Sequence, residues 1–93
     1  MPKTIKIYKT ELSKISFAPS EVLDKKNLKE KSNRIQVAIA KYKDGSGKVE
    51  ITFQTKNKGK FKVLSAILAA GEEYVMLKGG HNIPINSIVK ISL

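Results

Sequence analysis

The sequence predicts a mainly β domain, all-β or α+β: a small barrel or a rolled antiparallel sheet of about five strands, with a short N-terminal helix as an optional addition. Three observations lead there. Apolar residues recur at period two in several short runs. Turn signals built from Gly, Pro, Asn and Asp separate those runs at short intervals. And 93 residues with no Cys are enough for one domain with a single packed core, with neither a disulfide framework nor a thiolate metal site.

The first candidate strand is "KTIKIYKTEL", where Ile5 and Ile7 alternate with Lys. Leu12, Ile15 and Phe17 follow without a fixed period. "APSEVLDKKNLKEKSN" carries a helix-start signal: Pro19, then Ser20 as N-cap, then Glu21 in the first turn. Its apolar stripe is thin, so a short helix and an ordered loop both fit. In "RIQVAIAKYK" Ile35, Val37 and Ile39 alternate with Gln36, Ala38 and Ala40; in "KVEITFQT" Val49, Ile51 and Phe53 do the same. With "DGSG" between them, the pair reads as a β-hairpin. A helix face through Leu28, Ile35, Ala38, Ile39 and Tyr42 competes with the first strand, and β-branched content favours the strand. Next, Leu64, Ile67 and Leu68 have helical spacing with Gly71 placed to end a helix, but the stretch is short, which favours a strand over 61–69, a turn at "AGE" and a strand at "YVML". "KGGHNIPINSIVKIS" supplies a tight turn at Gly79-Gly80, and Pro84 restricts its strand to an edge, a bulge or a strand start. Residues 1–33 form an N-terminal part, and 34–93 a β-rich core of the same domain.

The formal charge is +10, and it is unevenly distributed. Residues 1–31 carry eight Lys against four acids; residues 32–63 carry seven Lys and one Arg against two acids; residues 64–93 carry two of each sign. The excess positive charge therefore precedes a neutral, apolar final third. Such charge attracts polyanions through steering and counterion release, and it also serves plain solubility. No apolar run approaches a membrane span, and the N-terminus lacks a secretory apolar region, so a cytoplasmic location without membrane contact is expected.

In pattern, residues 48–93 resemble the Sm-like small β-barrels, with Gly59 in a long bent strand, "YVML" as the short middle strand and "KGGHNIPINSIVKIS" as a Gly-led final pair. The resemblance implies a small barrel. In the Sm-like family the turn that contacts RNA bases carries Asp and Asn. This chain has "AAGEE" there, so no RNA-contacting residue transfers.

Catalysis finds no support in the residues. There is one His and no Cys, and neither a zinc-binding nor a nucleophile-elbow motif occurs. Glu72 and Glu73 are adjacent, which on a strand or turn sends them to opposite sides. "GSGK" lacks the first Gly and the following helix of a phosphate loop. His81 stands alone and reads as a turn residue rather than a metal ligand. The expectation is a non-enzymatic module with no metal and no cofactor.

One stretch carries a sharper hypothesis. In "TKNKGKFKV", Lys56, Lys58, Lys60 and Lys62 fall on every second residue. On a strand all four would share one face, about 6.6–7 Å apart, near the spacing of successive backbone phosphates. Lys41, Lys43 and Lys48 flank "DGSG" and would extend the patch; Tyr42 and Tyr74 are the candidates for base stacking. The competing role for the row is to protect an edge strand from aggregation. The expected partner is RNA or DNA, held by its phosphates with little sequence choice. The alternative is a protein partner, or a second copy, on an exposed strand edge of the neutral C-terminal third.

Overall fold

A computed structural model describes residues 4–18, 25–45, 48–57 and 59–93. It shows a mainly β domain: strand β1 (Thr4–Ile7), helix α1 (Lys25–Lys43), then β2 (Lys48–Gln54), β3 (Lys60–Ala70), β4 (Tyr74–Leu77), β5 (Asn82–Pro84) and β6 (Ile88–Ser92). Short 3-10 turns occupy Lys9–Lys14 and Ile85–Ser87. The strand order is β5-β4-β3-β2-β6, antiparallel throughout. β1 joins β3 in parallel, Thr4 facing Lys60 and Ile7 facing Val63. The sheet is rolled but not closed into a barrel: its end strands β5 and β6 pair with β4 and β2, not with each other.

β3 organises the roll. Its first seven residues pair with β2, its first four also with β1, and its last four lie along β4. The register with β4 slips between Ile67 and Ala69, which bends the strand and changes which side chains point inward. The inward faces of β2, β3 and β6 then meet those of β4 and β5 in one core: Val49, Ile51, Phe53, Val63, Ile67, Val75, Leu77, Ile83, Ile88 and Ile91. A second slip, between Thr52 and Phe53 in the β2–β6 pairing, leaves Val89 without an opposite number. That is why Ile88 and Ile91, three residues apart, are both fully buried. Near the β2–β3 turn, Ser16 and Ala18 exchange backbone bonds with Lys56 and Gln54. This brings Phe17 to 5.2 Å, ring to ring, from Phe53.

Two readings of the sequence are corrected. "RIQVAIAKYK" is not a strand: it is the second half of α1. Residues 25–43 contain no Gly or Pro and abound in good helix formers. The helical face buries Ile35 and Ala38, while Val37 is 44% exposed. Glu30 and Arg34 form an i,i+4 ion pair at 3.2 Å. Nor is "DGSG" a hairpin turn. Asp44 and Gly45 end the helix, their N–H groups donating to the carbonyls of Ala40 and Tyr42, with Gly45 at φ +89°. A left-handed Gly just past the last helical residue is the usual way to stop a helix. The hairpin that β2 does form is with β3, closed where the Thr55 N–H donates to the Gly59 carbonyl at 2.8 Å. The proposed helix start at Pro19, Ser20 and Glu21 lies outside the described residues. The helix runs across residues 33 and 34, where the sequence reading divides the N-terminal part from the core.

The later elements follow the sequence. β3, a turn at Gly71 and β4 appear where alternation places them. Gly79 and Gly80 take φ +98° and +89° in the β4–β5 turn, and Pro84 ends the edge strand β5.

α1 packs mainly on β3 and also touches β6 and β2, and two of its cations bond to β6 and to the 3-10 turn before it. The Lys31 ammonium, on a residue only 3% exposed, donates to the carbonyls of Ile85 (2.7 Å) and Ile88 (3.0 Å). The Arg34 guanidinium donates to the Ile91 carbonyl at 3.1 Å.

Candidate nucleic-acid interface

The row of four lysines that strand spacing predicts is not formed. Lys56 sits in the β2–β3 turn, Lys58 lies outside the described residues, and β3 begins only at Lys60. The cause is local: Thr55 and Gly59 close the hairpin, with the Gly59 N–H donating to the Thr55 hydroxyl at 3.1 Å. Only Lys60 and Lys62 share a strand face, both half-buried.

The sheet gathers a different set. Across the strands, Lys6, Lys62, Thr52 and Lys90 stand in one register row. Neighbours in a row share a face, so Lys6 and Lys90 flank Lys62 at roughly 5 and 10 Å. Lys60 lies one pleat step away, opposite Gln54. In the other direction Leu64 faces Glu50, and Ala66 faces Lys48. Beyond Ala66 comes Lys78, whose N–H donates to the Ala66 carbonyl at 3.1 Å. This face points away from Val49, Ile51, Phe53, Val63 and Ser65, all of them buried. Its described charges are Lys6, Lys48, Lys60, Lys62, Lys78 and Lys90 against Glu50, whose carboxylate is 3.7 Å from the Lys62 ammonium.

The remaining predicted residues divide. Tyr42 and Lys43 lie at the edge of this face, where they line a cleft of about 630 Å³ with Lys48, Leu64 and Lys78. Lys41 is half-buried on α1 and does not line that cleft. Tyr74, 50% exposed, belongs to the other end of β4, beside Glu72 and Glu73. Lys6, Lys78 and Lys90 were missed. Alternation with Ile5 and Ile7 marks Lys6 as outward, but nothing in the sequence shows that β1 docks beside Lys62.

Arg34 is not available to read bases. Its Nη1 is held by Ile91, and its Nε and Nη2 by the Glu30 carboxylate. Among the described residues no group of His, Cys, Asp and Glu is placed to hold a metal ion. No described helix is long and apolar enough to cross a membrane. No protein-family model, curated protein or solved structure matches this chain.

Proposed function

We propose that this domain is a non-enzymatic, cytoplasmic module that binds the phosphate backbone of nucleic acid with little sequence choice. One observation carries the reading: the outer sheet face sets six lysines against a single glutamate among the described residues. Ammonium groups on a pleated face contact phosphates as point charges and release counterions. They do not discriminate bases, and the chain's one Arg is already engaged.

The Sm-like resemblance belongs to this proposal. The short β4 and the turn at Gly79-Gly80 support it; Gly59 does not, because it lies in the β2–β3 turn ahead of Lys60 and the bend of β3 falls between Ile67 and Ala69. The open sheet and the acidic "AAGEE" turn do not extend it to a base-reading site.

The test is titration of generic single- and double-stranded DNA at several salt concentrations. If about five phosphates are contacted, log K falls against log salt with a slope of about −4.5 on duplex. Charge reversal of Lys6, Lys60, Lys62 and Lys90 together abolishes binding. Undetectable binding at low salt, or binding indifferent to salt, defeats the proposal.

A second reading, a protein-interaction domain, is favoured by Tyr74 and Met76, which are 50% and 47% exposed on β4 next to the edge strand β5. Binding of a protein partner that survives high salt and is lost in Met76→Lys would support it.

A further inference from the structure

The cleft beside Tyr42 adds to the lysine face something that phosphate contact does not require. It lies between the last turn of α1, the start of β2, the middle of β3 and the residue after β4. Its lining is Tyr42, Lys43, Gly45, Lys48, Leu64, Ser65, Ala66 and Lys78. Three side chains are cationic and none is acidic; Asp44, exposed in the same turn, is not part of it. Tyr42 is 37% and Leu64 44% exposed, so each offers apolar surface to solvent. The volume of about 630 Å³ suits a small ligand rather than a helix or a strand. The cleft also continues the phosphate-facing surface, because Lys48 and Lys78 flank Ala66 in its last register row.

We infer that this cleft takes one unpaired nucleotide, its base against Tyr42 and Leu64 and its flanking phosphates on Lys43, Lys48 and Lys78, and so makes the domain prefer single strands. The inference rests on the proposed nucleic-acid reading. Base–aromatic stacking needs an open π-face. A duplex keeps those faces covered by its own stacking, so it reaches the lysines but not the ring. Lys43, in the last turn of α1, offsets the negative end of the helix dipole that would otherwise repel phosphate. The cleft is at the opposite end of β4 from the "AAGEE" turn, since Lys78 follows Leu77 whereas Tyr74 borders Glu73.

The test uses the full chain, a labelled oligo-dT of about ten nucleotides and a duplex of equal length, read by anisotropy at low salt. The expected result is tighter binding of oligo-dT than of duplex. Tyr42→Ala weakens oligo-dT roughly 5- to 150-fold, the range for loss of one stacked base, and leaves duplex affinity nearly unchanged. Tyr42→Phe keeps the ring, the fold and the affinity. It also gives a second measurement that does not depend on the alanine variant folding. Oligo-dT quenches tyrosine emission in the wild type, and Tyr42→Phe loses most of that quenching while still binding. Salt-dependent binding of both probes with equal affinity, or quenching that survives in Tyr42→Phe, overturns the cleft and leaves the phosphate face intact. Failure of both probes to bind overturns the two together.

Discussion

Lys31 is the residue whose removal tells most about how the fold is fastened. Its ammonium leaves water almost completely and is met by the carbonyls of Ile85 and Ile88. Consider Lys31→Met, which keeps most of the aliphatic stem and deletes the donor. The Ile85 carbonyl is partly accessible and can be rehydrated; the bond to Ile88 is buried. One buried acceptor left without its donor costs about 1–3 kcal/mol. Relief of the ammonium's own desolvation returns part of that. The net expectation is a loss of about 1–2 kcal/mol, or roughly 4–16 °C in Tm for a domain of this size. Lys31→Ala also removes the packing of the stem and costs about 3–4 kcal/mol. Lys29, exposed on the same helix, is the control, and its alanine variant stays within about 0.5 kcal/mol of wild type. Urea and thermal unfolding followed by circular dichroism measure all three. If Lys31→Met and Lys31→Ala both melt with the Lys29 control, the tether is not what holds α1 to β6 and the argument is refuted.

Two further outcomes can be stated from the structure. Gly80→Ala meets no atom within 4 Å of its new Cβ, so its cost is conformational, set by φ +89°. It should destabilise by about 1 kcal/mol once the gain from a stiffer unfolded chain is subtracted. Gly71→Ala, whose nearest contact would be 3.8 Å from the Tyr74 carbonyl oxygen, should be close to neutral; equal melting temperatures for the two variants would contradict this. Glu50→Gln removes the one described acid of the lysine face and releases Lys62 from its 3.7 Å partner. Nucleic-acid affinity should rise up to about fivefold at low salt, the scale of one charge pair in water, and the gain should shrink as salt rises. Weaker binding in that variant would show that the carboxylate positions Lys62 rather than competing with phosphate.

What could be read in advance was whatever is decided locally. Gly79-Gly80, Pro84 and the alternation of Val49, Ile51 and Phe53 fix their own backbone states, and they appear where expected. Residues 34–43 carry two periods at once. Ile35, Val37 and Ile39 alternate, while Ile35, Ala38 and Ile39 line a helix. The helix gains contacts that the period does not show: Lys31, on the preceding turn, and Arg34, at the start of the segment, bond to carbonyls 54 and 57 residues further on. The register slips beside Thr52 and Ile67 likewise change inward and outward positions without a local signal. The lysine face was hidden for the same reason. The row "KNKGK" looked regular because its members are close in sequence, yet a turn breaks it. Lys6, Lys62 and Lys90 are far apart in sequence, and pairing brings them into line.

The two ends of the sheet bear on whether the domain assembles through strand addition. An uncovered edge strand offers unpaired backbone groups to another chain. β6 would be such an edge, but Lys31 and Arg34 occupy the carbonyls of Ile88 and Ile91, and α1, packed mainly on β3, also touches β6. β5 is the other end, with three residues and a terminal Pro84 that has no N–H to donate. Neither of these two edges is a good template, and the third edge strand, β1, which pairs only with β3 among the described strands, lies outside the C-terminal third. The second partner expected from the sequence, a strand added to that third, is therefore disfavoured relative to docking on side chains such as Tyr74 and Met76. The formal charge of +10 further opposes contact between copies. The wild-type chain should therefore sediment as a monomer at micromolar concentration and moderate salt. Uncovering β6 with Lys31→Met and Arg34→Ala together should promote concentration-dependent association, with new β signal in circular dichroism. A stable wild-type oligomer would show that an edge is open despite the tethers. A double variant that unfolds reversibly without associating would show that α1 stabilises the fold but does not guard the edge.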